Sequence, residues 1–168
     1  AVYGETTGSA IPETAPALPV NPYGESKLIG EQLIADAVRA GGLRAVSLRY
    51  FNVAGAGAPD LGDTAVLNLI PMVFERLDRG ESPRIFGDDY PTPDGTCIRD
   101  YIHVADLADA HLAVARRLTE QAGPADLTVN IGRGEGVSVR ELADLVGEIT
   151  GHRIKPETEP RRPGDAAR

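Results

Sequence analysis

The sequence predicts a mixed α/β fold, because segments with helical periodicity alternate along the chain with short apolar strands. Two helical segments carry clear boundary signals. Asn21 and Pro22 are typical of a helix start, and Gly41 follows where that helix would end. Ser138 and Glu141 form a capping-box pattern at the start of another. With 42% hydrophobic residues, a chain of 168 residues is long enough to bury a core.

Four helices are predicted, in alternation with the strands. The first follows a loop rich in proline and threonine, and its apolar residues fall on one face. The second begins close to Pro71, because proline is tolerated only in the first turn of a helix. The third has leucine, alanine and valine along one side, and the fourth follows the capping box. We expect these helices at residues 21–40, 68–79, 106–120 and 138–150.

Strands are predicted between these helices. Residues 44–50 alternate between polar and apolar side chains, as a half-buried strand does. Shorter extended segments are expected at residues 84–86, 98–104 and 127–131. The glycine-rich stretch 52–62 and the proline-containing stretch 87–96 are predicted to be loops, the second with a turn at Asp94-Gly95.

Charge, cysteine and histidine content narrow the classes of function. A net charge of −8 argues against nonspecific binding to nucleic acid, which requires a basic surface. No apolar run reaches the length of a membrane span, so we expect no membrane partner. The single cysteine, Cys97, cannot form an intrachain disulfide, which fits a reducing compartment, and we expect a cytoplasmic protein. The three histidines lack metal-ligand spacing, so no metal site is predicted.

Tyr23 and Lys27 are the first candidates for chemistry. Residues four apart on a helix project from the same face, so the phenol and the ammonium would lie side by side. A neighbouring ammonium favours the phenolate, and a tyrosine tuned in this way can exchange a proton with a substrate hydroxyl near neutral pH. The pattern alone is weak, because it occurs by chance in many helices. The alternative is a buried tyrosine beside a surface lysine.

The sequence around this pair resembles the extended short-chain dehydrogenase family. The catalytic segment of that family has the form Pro-Tyr-x-x-Ser-Lys, which residues 22–27 match, followed by Arg-Tyr-Phe-Asn at a strand end, which residues 49–52 match. Residues 85–104, with the insertion Tyr-Pro-Thr-x-Asp-Gly-Thr at 90–96, resemble the UDP-glucose 4-epimerase branch of the family. The resemblance runs from residue 1 to residue 165 and so covers essentially the whole chain.

This resemblance implies an architecture and partners. Residues 1–65 would be the end of an NAD-binding, Rossmann-type doubly wound sheet that carries the catalytic helix. Residues 66–168 would be mainly the smaller α/β domain that binds the nucleotide sugar, incomplete at its C-terminus. The implied cofactor is NAD, the implied substrate is a UDP-sugar, and the implied assembly is a homodimer with the helix at 21–40 in its contact face.

The resemblance also implies roles for individual residues. Tyr23 would be the catalytic acid/base, and Lys27 would hold the nicotinamide ribose and tune Tyr23. Tyr50 and Phe51 would join them in binding the cofactor. The implied substrate-binding residues are Asn52, Asn68, Leu69, Arg84, Ile85, Phe86, Arg99, Tyr101, Arg162 and Asp165. Arginine suits the diphosphate because its guanidinium makes forked, charge-assisted hydrogen bonds, and this role would fall to Arg99 and Arg162.

The implied reaction interconverts UDP-galactose and UDP-glucose by transient oxidation at C4 with bound NAD, an isomerisation of galactose metabolism. A nucleotide-sugar 4,6-dehydratase of the same family is the nearest alternative, but Ala1 occupies the position of the glutamate that those enzymes use for elimination. An epimerase for another sugar stays open. A cofactor-sensing binding protein without catalysis is disfavoured, because such proteins usually lose the Tyr-x-x-x-Lys pair.

The cofactor's main cradle is not found in this sequence. Residues 132–136 read Gly-Arg-Gly-Glu-Gly between a strand and a helix, but Val137 stands where a dinucleotide fingerprint needs its third glycine. We interpret this stretch as the Asn-x-Gly-x-Gly turn of the family, which lies away from the cofactor. The missing fingerprint leads us to expect a piece of a longer protein. Alone it would be inactive or unstable, because an incomplete sheet exposes an unpaired edge.

Overall fold

The computed structural model describes residues 1–6, 10–120 and 123–168, and the chain has the predicted mixed α/β fold. The helices are α1 (Pro22–Arg39), α2 (Leu69–Asp78), α3 (Val104–Thr119) and α4 (Val139–Thr150). The strands are β1 (Ala45–Tyr50), β2 (Asn52–Ala54), β3 (Arg84–Phe86), β4 (Ile98–His103), β5 (Asp126–Ile131), β6 (Gly136–Ser138) and β7 (Glu157–Glu159). A short 3-10 turn lies at Pro59–Leu61. Each predicted helix begins and ends within two residues of the observed bounds.

Three short strands, β2, β6 and β7, are missing from the sequence prediction. The prediction of a loop throughout 52–62 is therefore wrong at its start, where β2 lies. A strand of three residues is too short to show a period of two, and each of these strands is defined by hydrogen bonds to a distant partner.

The strands pair in three small sheets. β1 is parallel to β5, with Ala45 opposite Asp126 and Tyr50 opposite Ile131. β4 is parallel to β2 and antiparallel to β6, and β3 is parallel to β7. Parallel pairing brings the carboxyl ends of β1 and β5 to one edge, where ligands bind in α/β folds.

α3 begins earlier than its sequence signals indicate. Its N-cap is His103, whose Nδ1 accepts a hydrogen bond from the backbone N–H of Ala105 at 3.2 Å. The extended segment therefore ends at 103, and the predicted helix start at 106 is two residues late. Histidine is an unusual cap, which is why the sequence does not reveal it. His103 thus has a structural role, as expected for a histidine without metal-ligand spacing.

Apolar burial is uneven between the helices. α4 buries Leu142, Ala143 and Val146, whereas Gly24 is the buried residue of α1 within the described part of the chain. Apolar side chains of α1 are exposed instead, with Leu33 at 64%. Among the described residues, no helix combines the length and the apolar character that a membrane crossing needs.

The turn formed by residues 90–96 is closed by polar contacts and attached to α4. Asp94 accepts hydrogen bonds from the backbone N–H and the hydroxyl of Thr96 at 2.9 and 2.8 Å, and from the hydroxyl of Ser138. Ser138 caps α4 by accepting from the N–H of Glu141 at 3.0 Å. Thr96 is completely buried, so the turn is part of the folded core.

Replacing Asp94 with Asn is expected to lower the free energy of unfolding by about 1–2 kcal/mol at neutral pH, because a charged hydrogen-bond acceptor is lost. Burial opposes ionisation of Asp94, but hydrogen bonds from Ser138 and Thr96 outweigh it and lower the pKa of this carboxyl. Its stabilisation is therefore complete above the unfolded pKa, about 4, and is lost as the pH falls through the lower folded value.

Denaturation curves at pH 7 and at about pH 3 test this prediction. The unaltered protein should lose more stability on acidification than Asp94→Asn. Asp144→Asn, a change of the same chemistry on the exposed face of α4, is the control and should leave the unfolding free energy nearly unchanged. Equal pH dependence of Asp94→Asn and the unaltered protein would show that the carboxylate contributes nothing.

Candidate active site

Tyr23 and Lys27 lie next to each other in the first turns of α1. The Asn21 side chain accepts from the backbone N–H of Gly24 at 2.9 Å and so sets the start of the helix. The Lys27 Nζ atom is 5.2 Å from the centroid of the Tyr23 ring. Tyr23 is 64% exposed, so the alternative of a buried tyrosine does not apply. The predicted pair is formed and presents its polar groups on an open surface.

Gly24 allows the chain start to pack closely against α1. A Cβ at this position would lie 2.7 Å from the carbonyl oxygen of Ala1 and 3.0 Å from the Cβ of Pro19. The first distance is shorter than real Cβ contacts, and the second would require Pro19 to move. A glycine between Tyr23 and Lys27 therefore lets two segments meet beneath the first turn of the helix.

A partly buried ion pair connects α1 to β1 and sets the orientation of the helix. Arg49 of β1 donates through Nε to Glu31 of α1 at 2.9 Å and makes a second, shorter contact to the same carboxylate. The Arg49 Nη1 donates to the Tyr3 hydroxyl at 2.7 Å, and this hydroxyl donates to Asn130 of β5 at 2.6 Å. Pairing with Glu31 raises the pKa of Arg49. The network joins α1 to two strands, one helical turn beyond Lys27, and the sequence analysis did not identify it.

A cavity of about 130 Å³ gathers most of the predicted substrate-binding residues. Eight of the ten line it, together with Cys97 and Val139: Asn52, Leu69, Arg84, Phe86, Arg99, Tyr101, Arg162 and Asp165. They come from β2, α2, β3, β4 and the segment after β7. Cys97 and Val139 were not predicted, because small and apolar residues carry no chemical signal in a sequence.

The three arginines of this cavity differ in how far neighbouring carboxylates neutralise them. The Arg84 Nε atom lies 3.6 Å from a carboxylate oxygen of Glu157 and 3.5 Å from one of Glu159, both in β7. The Arg99 Nη2 atom lies 3.7 Å from a carboxylate oxygen of Asp165, and its Nη1 donates to the Ile98 carbonyl at 2.8 Å. A loose contact of this length leaves the Arg99 guanidinium able to exchange its partner for another anion.

Arg162 and Tyr101 complete the cavity wall. The Arg162 guanidinium carbon lies 3.8 Å from the centroid of the Phe86 ring, a cation–π contact. Burial raises the pKa of Tyr101, and the Asn52 amide and the Arg99 charge oppose that rise. Tyr101 therefore contributes a neutral phenol to the wall near neutral pH.

The remaining predicted residues occupy other positions. Asn68 lines a neighbouring groove of about 950 Å³ with Tyr50 and Phe51, and its amide donates to Asp63 at 3.2 Å. Asn52, Leu69 and Tyr101 line both spaces. Ile85 is only 2% exposed and lines neither, because its side chain belongs to the core. A ligand contact by Ile85 would have to come from its backbone.

The loop that carries Arg162 and Asp165 approaches the start of α1. A Cβ at Gly164 would lie 3.8 Å from the Cβ of Asn21, the N-cap of that helix. Tyr23 and Lys27 are not among the residues that line the two spaces. The Tyr23–Lys27 pair thus projects from α1, a helix whose start lies next to the arginine-lined cavity, without forming part of the cavity wall.

The glycine-rich turn at 132–136 is occupied by an internal carboxylate. Asp100 accepts from the backbone N–H groups of Arg133 and Gly134 at 2.9 and 2.8 Å. These are the amides that a phosphate would need. Among residues 1–6, 10–120 and 123–168, no group of three metal-ligating side chains is found.

Comparison with known proteins places the chain in a family. Residues 1–132 match the model of the "NAD dependent epimerase/dehydratase family". The UDP-glucose 4-epimerases of Azospirillum brasilense and Streptomyces lividans are each 48% identical to it, over 98% and 99% of this chain and 48% and 50% of theirs.

Solved structures agree with this assignment. A UDP-glucose 4-epimerase from Stenotrophomonas maltophila, with bound NAD and formylated UDP-arabinopyranose, superposes with a TM-score of 0.88 at 41% identity, covering 99% of this chain and 51% of that one. The enzyme from Bifidobacterium longum, in complex with NAD+ and UDP, gives 0.87 at 40% identity over 98% and 50%. The chain spans about half the length of the curated relatives it matches, and it belongs to the NAD dependent epimerase/dehydratase family.

Proposed function

We propose that this chain supplies the acid–base pair and the nucleotide-sugar site of an NAD-dependent UDP-glucose 4-epimerase. The observation that carries the proposal is the convergence, on one cavity beside the start of α1, of eight of the ten substrate-binding residues that the family resemblance implies. Residues 1–65 would belong to the cofactor domain and residues 66–168 mainly to the nucleotide-sugar domain. Relatives with 48% identity carry this activity in their names.

The residues near α1 fit the nicotinamide end of NAD. Lys27 and Tyr23 are exposed side by side, as a lysine that holds ribose hydroxyls beside an acid/base must be. Tyr50 and Phe51 add aromatic surface on the groove of about 950 Å³. When bound, NAD would accept a hydride from C4 of the hexose and return it to the opposite face.

Tyr23 moves the proton in the proposed reaction. Its phenolic oxygen takes the proton of the sugar 4-hydroxyl as the C4 hydride leaves, and returns a proton when the hydride comes back. Lys27 stabilises the negative charge on that oxygen. Arg99 and Arg162 hold the diphosphate throughout, so the 4-keto sugar can turn over without leaving.

We also propose a homodimer whose contact face includes α1. The exposed apolar residues Ile29, Leu33 and Ile34 lie on this helix at 52%, 64% and 43% exposure. Apolar side chains spaced along one helix favour a partner helix of the same kind.

A direct assay tests the proposed function. The protein at its natural length, supplied with NAD and UDP-galactose, should form UDP-glucose and no 4-keto-6-deoxy sugar. Residues 1–168 assayed alone should show no turnover, because the glycine fingerprint for NAD is not found in them. Elimination product in place of UDP-glucose would assign the chain to the dehydratases, and turnover by residues 1–168 alone would contradict the division into domains.

Replacing Tyr23 with Phe should lower kcat at least ~100-fold, because general acid–base catalysis typically contributes that much. The dissociation constant for UDP should stay nearly constant, since Tyr23 is not part of the arginine-lined cavity. Steady-state kinetics and calorimetric titration with UDP measure the two quantities. Full activity of Tyr23→Phe would exclude this residue as the acid/base.

Arg99→Lys should weaken UDP binding about 10-fold, because lysine keeps the charge but loses the forked hydrogen bonds. The matched control is Arg133→Gln, since Arg133 is 62% exposed and pairs with Glu135 outside the cavity. This control removes a whole charge and should still bind UDP normally. Equal losses in both variants would show that the effect is not specific to the cavity, and would contradict a forked diphosphate contact by Arg99.

A further inference from the structure

Two consecutive arginines after β7 each stack on an aromatic ring. The guanidinium carbon of Arg162 lies 3.8 Å from the centroid of Phe86, and that of Arg161 lies 4.0 Å from the centroid of Tyr90. Each of the two arginines is therefore held against a ring, but only Arg162 lines the cavity.

Arg161 is anchored more firmly than a surface arginine. Its Nε donates to the Asp89 carboxylate at 2.6 Å, and its Nη2 donates to the backbone carbonyl of the same residue. Hydrogen bonding by Arg161 lowers the pKa of Asp89. Three contacts, two to Asp89 and one to the Tyr90 ring, thus fix a side chain that is 43% exposed.

Gly87 makes this arrangement possible. A Cβ at Gly87 would lie 2.6 Å from the Cγ of Arg161 and 2.6 Å from the Cε2 of Tyr90. Its φ of +83° is also one that other residues rarely adopt. Its N–H donates to the carbonyl of Glu159 at 2.8 Å, which continues the pairing of β3 with β7. Glycine at this position lets the arginine and the tyrosine pack over the backbone.

Tyr90 belongs to a rigid support. It is 5% exposed, and its N–H donates to the Gly95 carbonyl at 2.9 Å across the turn that Asp94 attaches to α4. Burial raises the pKa of Tyr90 to about 12, so the phenol is neutral. Its hydroxyl lies beside the Cys97 thiol and makes no hydrogen bond of ordinary geometry within the described ranges of the chain. The Tyr90 ring is the part of this side chain that contacts Arg161.

We propose that the turn at 90–96 is a platform that positions Arg162 for the nucleotide, with Asp89, Tyr90 and Arg161 as its connecting residues. This inference rests on the proposed function, since it assigns a role within the same site. In this proposal the insertion at 90–96 has a structural role. The buried Tyr90 ring and the Asp89 carboxylate before it hold Arg161, and so hold the segment in which Arg162 would bind the diphosphate. Asp89, Tyr90 and Arg161 are positioning residues that need not touch the nucleotide.

Calorimetric titration of the natural-length protein with UDP tests the platform. Arg161→Gln and Asp89→Asn should each raise the dissociation constant about 3- to 10-fold, the size of a lost stack or charged hydrogen bond. kcat at saturating substrate should not change. Arg153→Gln, which removes the same charge from an exposed position between α4 and β7, is the control and should bind UDP normally.

Two variants of Tyr90 separate the ring from the hydroxyl. Tyr90→Phe keeps the stack and should bind UDP within ~2-fold of the unaltered protein, whereas Tyr90→Leu should bind about 5-fold more weakly. A loss in Tyr90→Phe as large as in Tyr90→Leu would contradict the role of the ring. Asp89 is exposed, so Asp89→Asn decides the question if Tyr90→Leu does not fold.

The dependence on Arg162 is tested with a double variant. In an Arg162→Gln background, Arg161→Gln should cause no further loss of UDP affinity, because it acts through Arg162. An undiminished further loss would mean that Arg161 attracts the nucleotide directly, and the platform would be wrong. Normal UDP binding by Arg161→Gln would also overturn the platform while leaving the proposed function intact. No UDP binding by the unaltered protein would overturn both.

Discussion

The parallel pairing of β2 with β4 is the contact on which the site depends. It places Asn52, directly after the strand packed near α1, opposite Tyr101, two residues beyond Arg99. α1 belongs to the first part of the chain, and the arginines of the cavity belong to the second. With this register Asn52 from the first part and Arg99 and Tyr101 from the second line the same cavity, next to the start of α1. A shift by one residue would turn Asn52 or Tyr101 to the opposite face and separate the two sets of groups.

Local features of the fold and site were predictable, and long-range ones were not. Tyr23 and Lys27 follow from helix geometry, and the cap of α4 follows from Ser138 and Glu141 alone. The attachment of Asp94 to Ser138, 44 residues away, leaves no periodic signal in either segment. β7 is likewise visible only through its pairing with β3. The resemblance to a family supplied the cavity residues, because it carries information about long-range contacts that spacing lacks.

The cavity concentrates positive charge in a chain whose net charge is −8. Neighbouring carboxylates reduce the repulsion between these arginines. Glu157 and Glu159 flank Arg84, and Asp165 lies near Arg99. Stacking on Phe86 stabilises the charge of Arg162, because an aromatic face attracts a cation without occupying its hydrogen-bond donors. An arginine held by a ring keeps its N–H groups available for a diphosphate. An arginine held by a carboxylate must first give up that partner.

The glycine-rich turn at 132–136 and the single glycine at position 87 show why glycines in a sequence do not identify a ligand. At 132–136 the backbone amides point inward as they do around a phosphate, yet Asp100 from the neighbouring strand accepts from them. At Gly87 the absence of a side chain makes room for an arginine and a tyrosine of the protein itself. Glycine specifies where the backbone can bend and how closely a neighbour can approach. Which group lies against the turn depends on residues far away in the sequence. Those residues determine whether the turn binds a ligand or contacts another part of the protein.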